Sequence, residues 1–237
     1  MAGPSNNVAL PRQWEWPAGT KRIIRLFMVM PKPLNSESGR PSRLAGAPPG
    51  PRQHNKRQGT LLDSAAALFV EKGVSATSID DIAERAGVAK GTFYHYFQDR
   101  AAMLEALRKR YSQHFAAAAQ DAMAPCPPGD WNARLTAWVG TVVSEYVASY
   151  ALHDAIFHDP AICHRCVMSE EPIVQSLGAL LDGGCQAGVW HTEDTLATAV
   201  CMFHGLHGVV DETIATGADP VLAAPQLSRL FANMLRP

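Results

Sequence analysis

The sequence predicts an all-α fold, with a three-helix head built round a helix-turn-helix and a larger helical body behind it. Three observations carry this. Apolar residues recur at i, i+3 and i+4 through successive segments punctuated by Gly and Pro. No segment alternates at period two for long enough to make a strand. The charge is also uneven: +5 over residues 1–51, +3 over 52–115 and −9 over 116–237, within a net charge of only −1. A basic front joined to an acidic back is the distribution of a nucleic-acid module carried by one that does not meet phosphates.

Residues 1–51 are rich in Pro, Gly, Ser and Arg and lack helical periodicity, so they are expected to form a disordered basic extension. Met28 and Met30 precede PKPLNSESGRPSR, and either offers an alternative translation start. The apolar patch Ile23–Met30 is too short to span a bilayer and is interrupted by Arg25, so no membrane partner is expected. The first helix is expected over Gln53–Lys72, with Leu61, Ala65, Leu68 and Phe69 on its buried stripe and Gly73 as its stop. Lys56 and Arg57, beside its start, are candidates for a basic arm on DNA.

Asp80–Tyr96, DDIAERAGVAKGTFYHY, reads as two short helices around a tight turn. Ile79, Ile82, Ala83 and Ala86 share one face; Ser78 stands as N-cap with Asp81 three residues on, close to a capping box. Gly87 suits the left-handed end of the first helix, and Val88 plugs the turn. In the second helix, Lys90 to Phe97, Phe93 and Phe97 point inward and leave Lys90, Thr92, Tyr94 and His95 outside. A cation, a hydroxyl, a phenol and an imidazole on the free side of a short helix suit a phosphate-lined groove, with Gly91 permitting close approach. Ser78 at a helix N-terminus and Arg100 in the first turn of the fourth helix are further phosphate candidates. The bland alternative is a helical hairpin with a solvated polar face.

The run LLDSAAALFVEKG followed by SATSIDDIAERAGVAKGTFYHYFQDRAAML, Leu61 to Leu104, resembles the DNA-binding domain of the tetracycline-repressor (TetR/AcrR) family. The resemblance implies an all-helical homodimeric transcription factor, a repressor released from double-stranded operator DNA by a small-molecule effector; the irregular cysteines, read as reduced thiols, lead to a cytoplasmic expectation. It also implies a division into a DNA-binding domain at 52–100 and a helical ligand-binding and dimerisation domain at 101–237. The family more often has serine where Ala89 stands, so this chain forgoes a cap at the start of its reader helix.

The fourth helix starts after Asp99, a good N-cap, and continues through Met103, Leu104, Leu107, Tyr111 and Phe115. Beyond the Ala124–Asp130 loop, helices are expected over Trp131–Tyr150, Ala151–His158, Glu171–Gly188, Thr192–Gly217 and Asp219–Leu235, with Gly183-Gly184 bending one of them. Thr192–Gly217 is apolar on more than one side and must be buried widely. In the family the last two helices dimerise, which assigns Val200, His207, Val210, Ile214, Leu227, Leu230 and Phe231 to the subunit interface; the alternative is that they close the protomer's own core.

An organic-effector pocket is expected between the body helices. Trp131, Trp138, Tyr146, Phe157, Met168, Met202 and Phe203 are its candidate apolar lining, with His158 or His204 orienting the ligand. His204, His207 and Asp211 share one helix face, and His153, His158, Cys163, His164 and Cys166 lie in neighbouring segments. Imidazole and thiolate are zinc and copper ligands, so a metal-sensing regulator or, below it, a metal-dependent hydrolase is the alternative reading. The spacing matches no compact zinc motif, and no metal or other cofactor is expected. Five irregularly spaced cysteines make no disulfide framework. No Ser-His-Asp order, phosphate-binding glycine loop or paired-carboxylate motif marks an enzyme.

Overall fold

The computed structural model describes residues 51–157 and 168–236, and among these there are nine α-helices and no strand. The expectations for residues 1–50, and those for His158, Cys163, His164 and Cys166, lie outside the described residues. No helix of the described residues is long and apolar enough to cross a membrane.

Three helices build the head: α1 (Pro51–Lys72), α2 (Ile79–Arg85) and α3 (Lys90–Tyr96). Helix α1 starts two residues earlier than its periodicity indicates. It ends at Gly73, whose φ of +84° lies in the left-handed region and whose N–H donates to Phe69 O at 2.9 Å. Leu61, Ala65, Phe69, Val74, Ile82, Phe93 and Phe97 are buried together, so the inward-facing set read from the sequence is the core of the head.

The body follows without a break. Helix α4 (Arg100–Met123), started by Asp99 Oδ1 accepting from Ala102 N at 2.7 Å, carries the chain out of the head. It packs on α5 (Trp131–Ala148) and α7 (Pro172–Gln186), while α6 (Tyr150–Phe157) lies against α1. Helix α8 (Thr195–Ala215) packs on α7, and α9 (Ala223–Met234) covers α5. The apolar core of the head is continuous with that of the body.

Gly183 and Gly184 lie inside an unbroken helix, each against an indole ring. A Cβ on Gly183 would stand 2.4 Å from the Trp131 ring, and one on Gly184 would stand 2.0 Å from the Trp190 ring. The pair is a seat for two indoles within α7. Trp190 Nε1 donates to Asn132 Oδ1 at 3.2 Å, which ties the end of α7 back to the start of α5.

Candidate DNA-reading helix and effector cavity

The helix-turn-helix is held by its caps. Ser78 Oγ accepts from Asp81 N at 3.1 Å and Ser78 N donates to Asp81 Oδ2 at 2.8 Å, a complete capping box where the sequence came close to one. Lys72 Nζ also reaches Asp81 Oδ2, at 2.7 Å, so α1, the turn and α2 meet on one carboxylate. The Lys72 ammonium and then the Ser78 hydroxyl and N–H hold the Asp81 carboxyl well below the usual carboxylate range. The turn closes at Gly87 (φ +67°), with Val88 half-buried in the angle between the helices.

Helix α3 divides as its sequence implies. Phe93 and Phe97 are buried, whereas Lys90, Gly91, Tyr94 and His95 are exposed and Thr92 is half-buried. Tyr94 is 51% exposed, unusual for a large aromatic side chain in a protein with an ample core. Gly91 has ordinary helical φ, and a Cβ built on it meets nothing within 4 Å, so the fold itself does not ask for glycine there. Ala89 takes the extended N-cap conformation (φ −69°, ψ 148°) without a side-chain cap.

Five DNA candidates sit differently from their sequence expectation. Lys90 Nζ is not free but lies 2.9 Å from Asp80 Oδ1 of α2, and that hydrogen bond raises its pKa. The Ser78 hydroxyl is engaged with Asp81, donating to its Oδ2 at 2.7 Å. Arg100 is turned inward: its guanidinium donates to Thr77 O at 2.9 Å and Val74 O at 3.0 Å, bracing the carbonyls that the 74–77 loop leaves without helix partners. Lys56 and Arg57 are exposed, on the first turns of α1 rather than on a loose arm. His54 of α1 lies with its ring 4.5 Å from that of Tyr96, which seats this end of α1 on the back of α3.

In the body, a cavity of about 400 Å³ opens between α4, α6, α7 and α8. Of the expected lining it collects Phe157, Met168, Phe203 and His204. Trp131, Trp138 and Met202 do not line it. Trp131 packs on Trp190 and under Arg134, Trp138 is fully buried with Nε1 donating to Ser176 Oγ at 3.3 Å, and Met202 is core. Tyr146 stands behind the wall, its hydroxyl donating to Asp211 Oδ1 at 2.6 Å. Burial, and then that carboxylate, push the Tyr146 phenol far above its ordinary pKa.

The remaining lining escaped the pocket reading. Tyr111, Ser112 and Phe115 come from α4, where the i, i+4 aromatic pair reads as plain core; Glu171 and Ile173 come from the start of α7. His153, His207 and Asp211, singled out as metal ligands, line the same cavity instead. Rings run along it in contact: Phe115 to Tyr111 at 4.5 Å, His153 to Phe157 at 4.7 Å and Phe203 to His207 at 4.3 Å between centroids. Among the described residues no three His, Cys, Asp or Glu side chains are gathered to hold a metal ion.

The interface expectation needs correction at four residues. Val210, Leu227 and Phe231 are buried within the protomer, and His207 lines the cavity with Nδ1 donating to Phe203 O at 3.0 Å. Val200 and Ile214 are half-buried against the core. Leu230 is exposed, and with it Leu196, Val209 and Met234, which the sequence did not single out. Helices α8 and α9 each have an apolar side turned inward and a second turned out, and periodicity alone does not say which residue lies on which.

The described residues thus form an all-helical helix-turn-helix protein whose head is continuous with a body holding one aromatic-walled cavity. Residues 61–107 match the family model for bacterial regulatory proteins of the tetR family. The head is thus similar to the DNA-binding domain of the TetR family. The HTH-type transcriptional repressor KstR2 of Mycobacterium tuberculosis is 42% identical over 59 residues, a stretch that spans 25% of this chain and only 30% of that protein. The fold is shared more widely. The fatty acid degradation regulator FadR of Bacillus halodurans superposes with a TM-score of 0.61 over 80% of this chain and 99% of its own, at 22% identity. FadR of Bacillus subtilis, in complex with stearoyl-CoA, gives 0.58 over 75% and 98%, at 20% identity.

Proposed function

We propose that this chain is a ligand-responsive transcription regulator, a repressor, that binds operator DNA as a homodimer and is released by a small apolar or aromatic effector. The observation that carries the reading is α3: two phenylalanines anchor it, and Tyr94, His95, Lys90 and an unforced glycine face outward. A helix presented this way enters a major groove with its polar side against phosphates and base edges. Lys90 then exchanges Asp80 for a phosphate, a swap that costs little because the pair is solvent-exposed. Tyr94 and His95 reach the backbone, Thr92 sits at the edge of the contact, and Lys56 and Arg57 add sequence-independent attraction. Ser78 and Arg100 act indirectly, by fixing the turn and the loop that aim α3.

The exposed apolar residues of α8 and α9, chiefly Val209, Leu230 and Met234, support pairing of two copies through these helices. Two heads held by such a pair meet successive major grooves about 34–36 Å apart. The cavity supports the effector half of the reading. It is walled by α6, which packs on α1 of the head, and by α4, which leads out of the head. A ligand that prefers one arrangement of α4 and α6 biases the separation of the heads and hence the fit to DNA. The stearoyl-CoA complex of the Bacillus subtilis neighbour supports no more than that this fold houses an organic effector.

Hydroxyl-radical footprinting on the DNA upstream of the chain's own gene tests the proposal. Protection of two half-sites about one helical turn apart is expected; protection of a single site, or none, contradicts it.

A further inference from the structure

We propose that the effector cavity selects a small organic cation, an amine or quaternary ammonium carried on an apolar ring or chain, held by the Asp211 carboxylate among aromatic faces. The inference rests on the effector reading of that cavity. Among the described residues, the charged side chains lining the cavity are Asp211 and Glu171, both acidic, and no Lys or Arg lines it. The chain offers few cations nearby in any case, since residues 116–237 contain four arginines, no lysine and thirteen acids. The buried Arg108 is committed elsewhere: its Nε donates to Ile156 O at 2.7 Å and its guanidinium covers the Phe157 ring at 5.5 Å.

Asp211 has one neutral donor for its charge, the Tyr146 hydroxyl on Oδ1, and its Oδ2 accepts no hydrogen bond among the described residues. Glu171 begins α7 without making a side-chain cap bond. Half-buried carboxylates with this little compensation attract a cation and repel an organic anion. Around them, the rings of Phe203, Tyr111 and Phe115 line the cavity, and aromatic quadrupoles add to the attraction for ammonium. Among the described residues, a fatty acid or a phosphorylated ligand meets no Lys or Arg in the lining. At about 400 Å³ the cavity is near the small end of ligand sites, suited to a compact molecule.

The test measures binding of four probes to the full chain by isothermal titration calorimetry at pH 8, where imidazoles are generally uncharged. The probes are phenyltrimethylammonium, its neutral isostere tert-butylbenzene, benzoate and phenol. The cation is expected to bind at least about tenfold tighter than the isostere. Asp211→Asn, which keeps an acceptor for Tyr146, is expected to erase that preference and leave tert-butylbenzene unaffected. Glu171→Gln, at a position with no cap bond to lose, is expected to weaken it in the same direction. Equal or tighter binding of tert-butylbenzene, benzoate or phenol, a preference that survives both substitutions, or binding of no probe overturns the proposal. A gel shift with each bound probe separates the two claims. Cation binding that leaves DNA retention untouched contradicts the effector reading alone, whereas a neutral or anionic probe that binds tighter and releases DNA contradicts the cation preference alone.

Discussion

The Tyr146 hydroxyl on α5 donates a 2.6 Å hydrogen bond to the Asp211 carboxylate on α8, joining two body helices at the edge of the cavity. The bond is charge-assisted, and Tyr146 is otherwise fully buried. Tyr146→Phe keeps the ring and removes the donor. It is expected to lower stability by about 1.5–3 kcal/mol in urea denaturation, the range for hydrogen bonds to charged groups. An unchanged midpoint would mean that water replaces the phenol without loss.

Two glycines predict opposite outcomes. Gly184→Ala drives a Cβ into the Trp190 ring, so a lower Tm is expected, with a cost of about 1–3 kcal/mol for overpacking. Gly91→Ala meets open space in the protein and gains helix propensity, so Tm should hold or rise while affinity for operator DNA falls. Undiminished DNA affinity in Gly91→Ala would show that nothing approaches α3 closely at that point.

Ala89 already holds the backbone conformation of an N-cap and lacks only the oxygen. Ala89→Ser is expected to stabilise the head by about 0.5–2 kcal/mol in thermal or chemical denaturation. No gain would place the start of α3 outside the reach of a serine side chain.

For the subunit contact, Leu230 and Leu227 separate what their sequence spacing does not. Leu230→Asp puts a charge on the outward side of α9 and is expected to dissociate the proposed dimer in analytical ultracentrifugation with helicity retained. Leu227→Ala hollows the protomer core and is expected to cost about 2–5 kcal/mol of stability. A Leu230→Asp protein that sediments as a dimer removes α9 from the interface.

The head was readable from its sequence because each local signal agreed with the others: Ser78 with Asp81 as cap, Gly87 as stop, Phe93 and Phe97 on one side. Short helices with a single buried side leave little choice about which residue points where. The body was readable as helices but not as a site. Trp138 and Phe203 look alike as apolar residues in a helical pattern, and only the packing of α5 against α9 and α7 places one in the core and the other on a cavity. Val210 and Val209 are neighbours in sequence, yet one is buried and the other exposed, because successive residues of a helix point about 100° apart. The polar set His153, His207 and Asp211 was visible as a constellation; its role as cavity wall followed from α6 and α8 meeting there. Lys90 and Arg100 carry charges that the sequence offers to phosphate or to solvent, and their partners Asp80 and the 74–77 carbonyls come from other elements.

The account depends most on the outer side of α3. The direct measurement is the affinity of the chain and of Tyr94→Ala for the DNA upstream of its own gene, with thermal denaturation of both proteins alongside. Loss of retained DNA by Tyr94→Ala with an unchanged Tm is the predicted result. Equal retention by the two proteins would contradict the assignment of α3 as the reading helix.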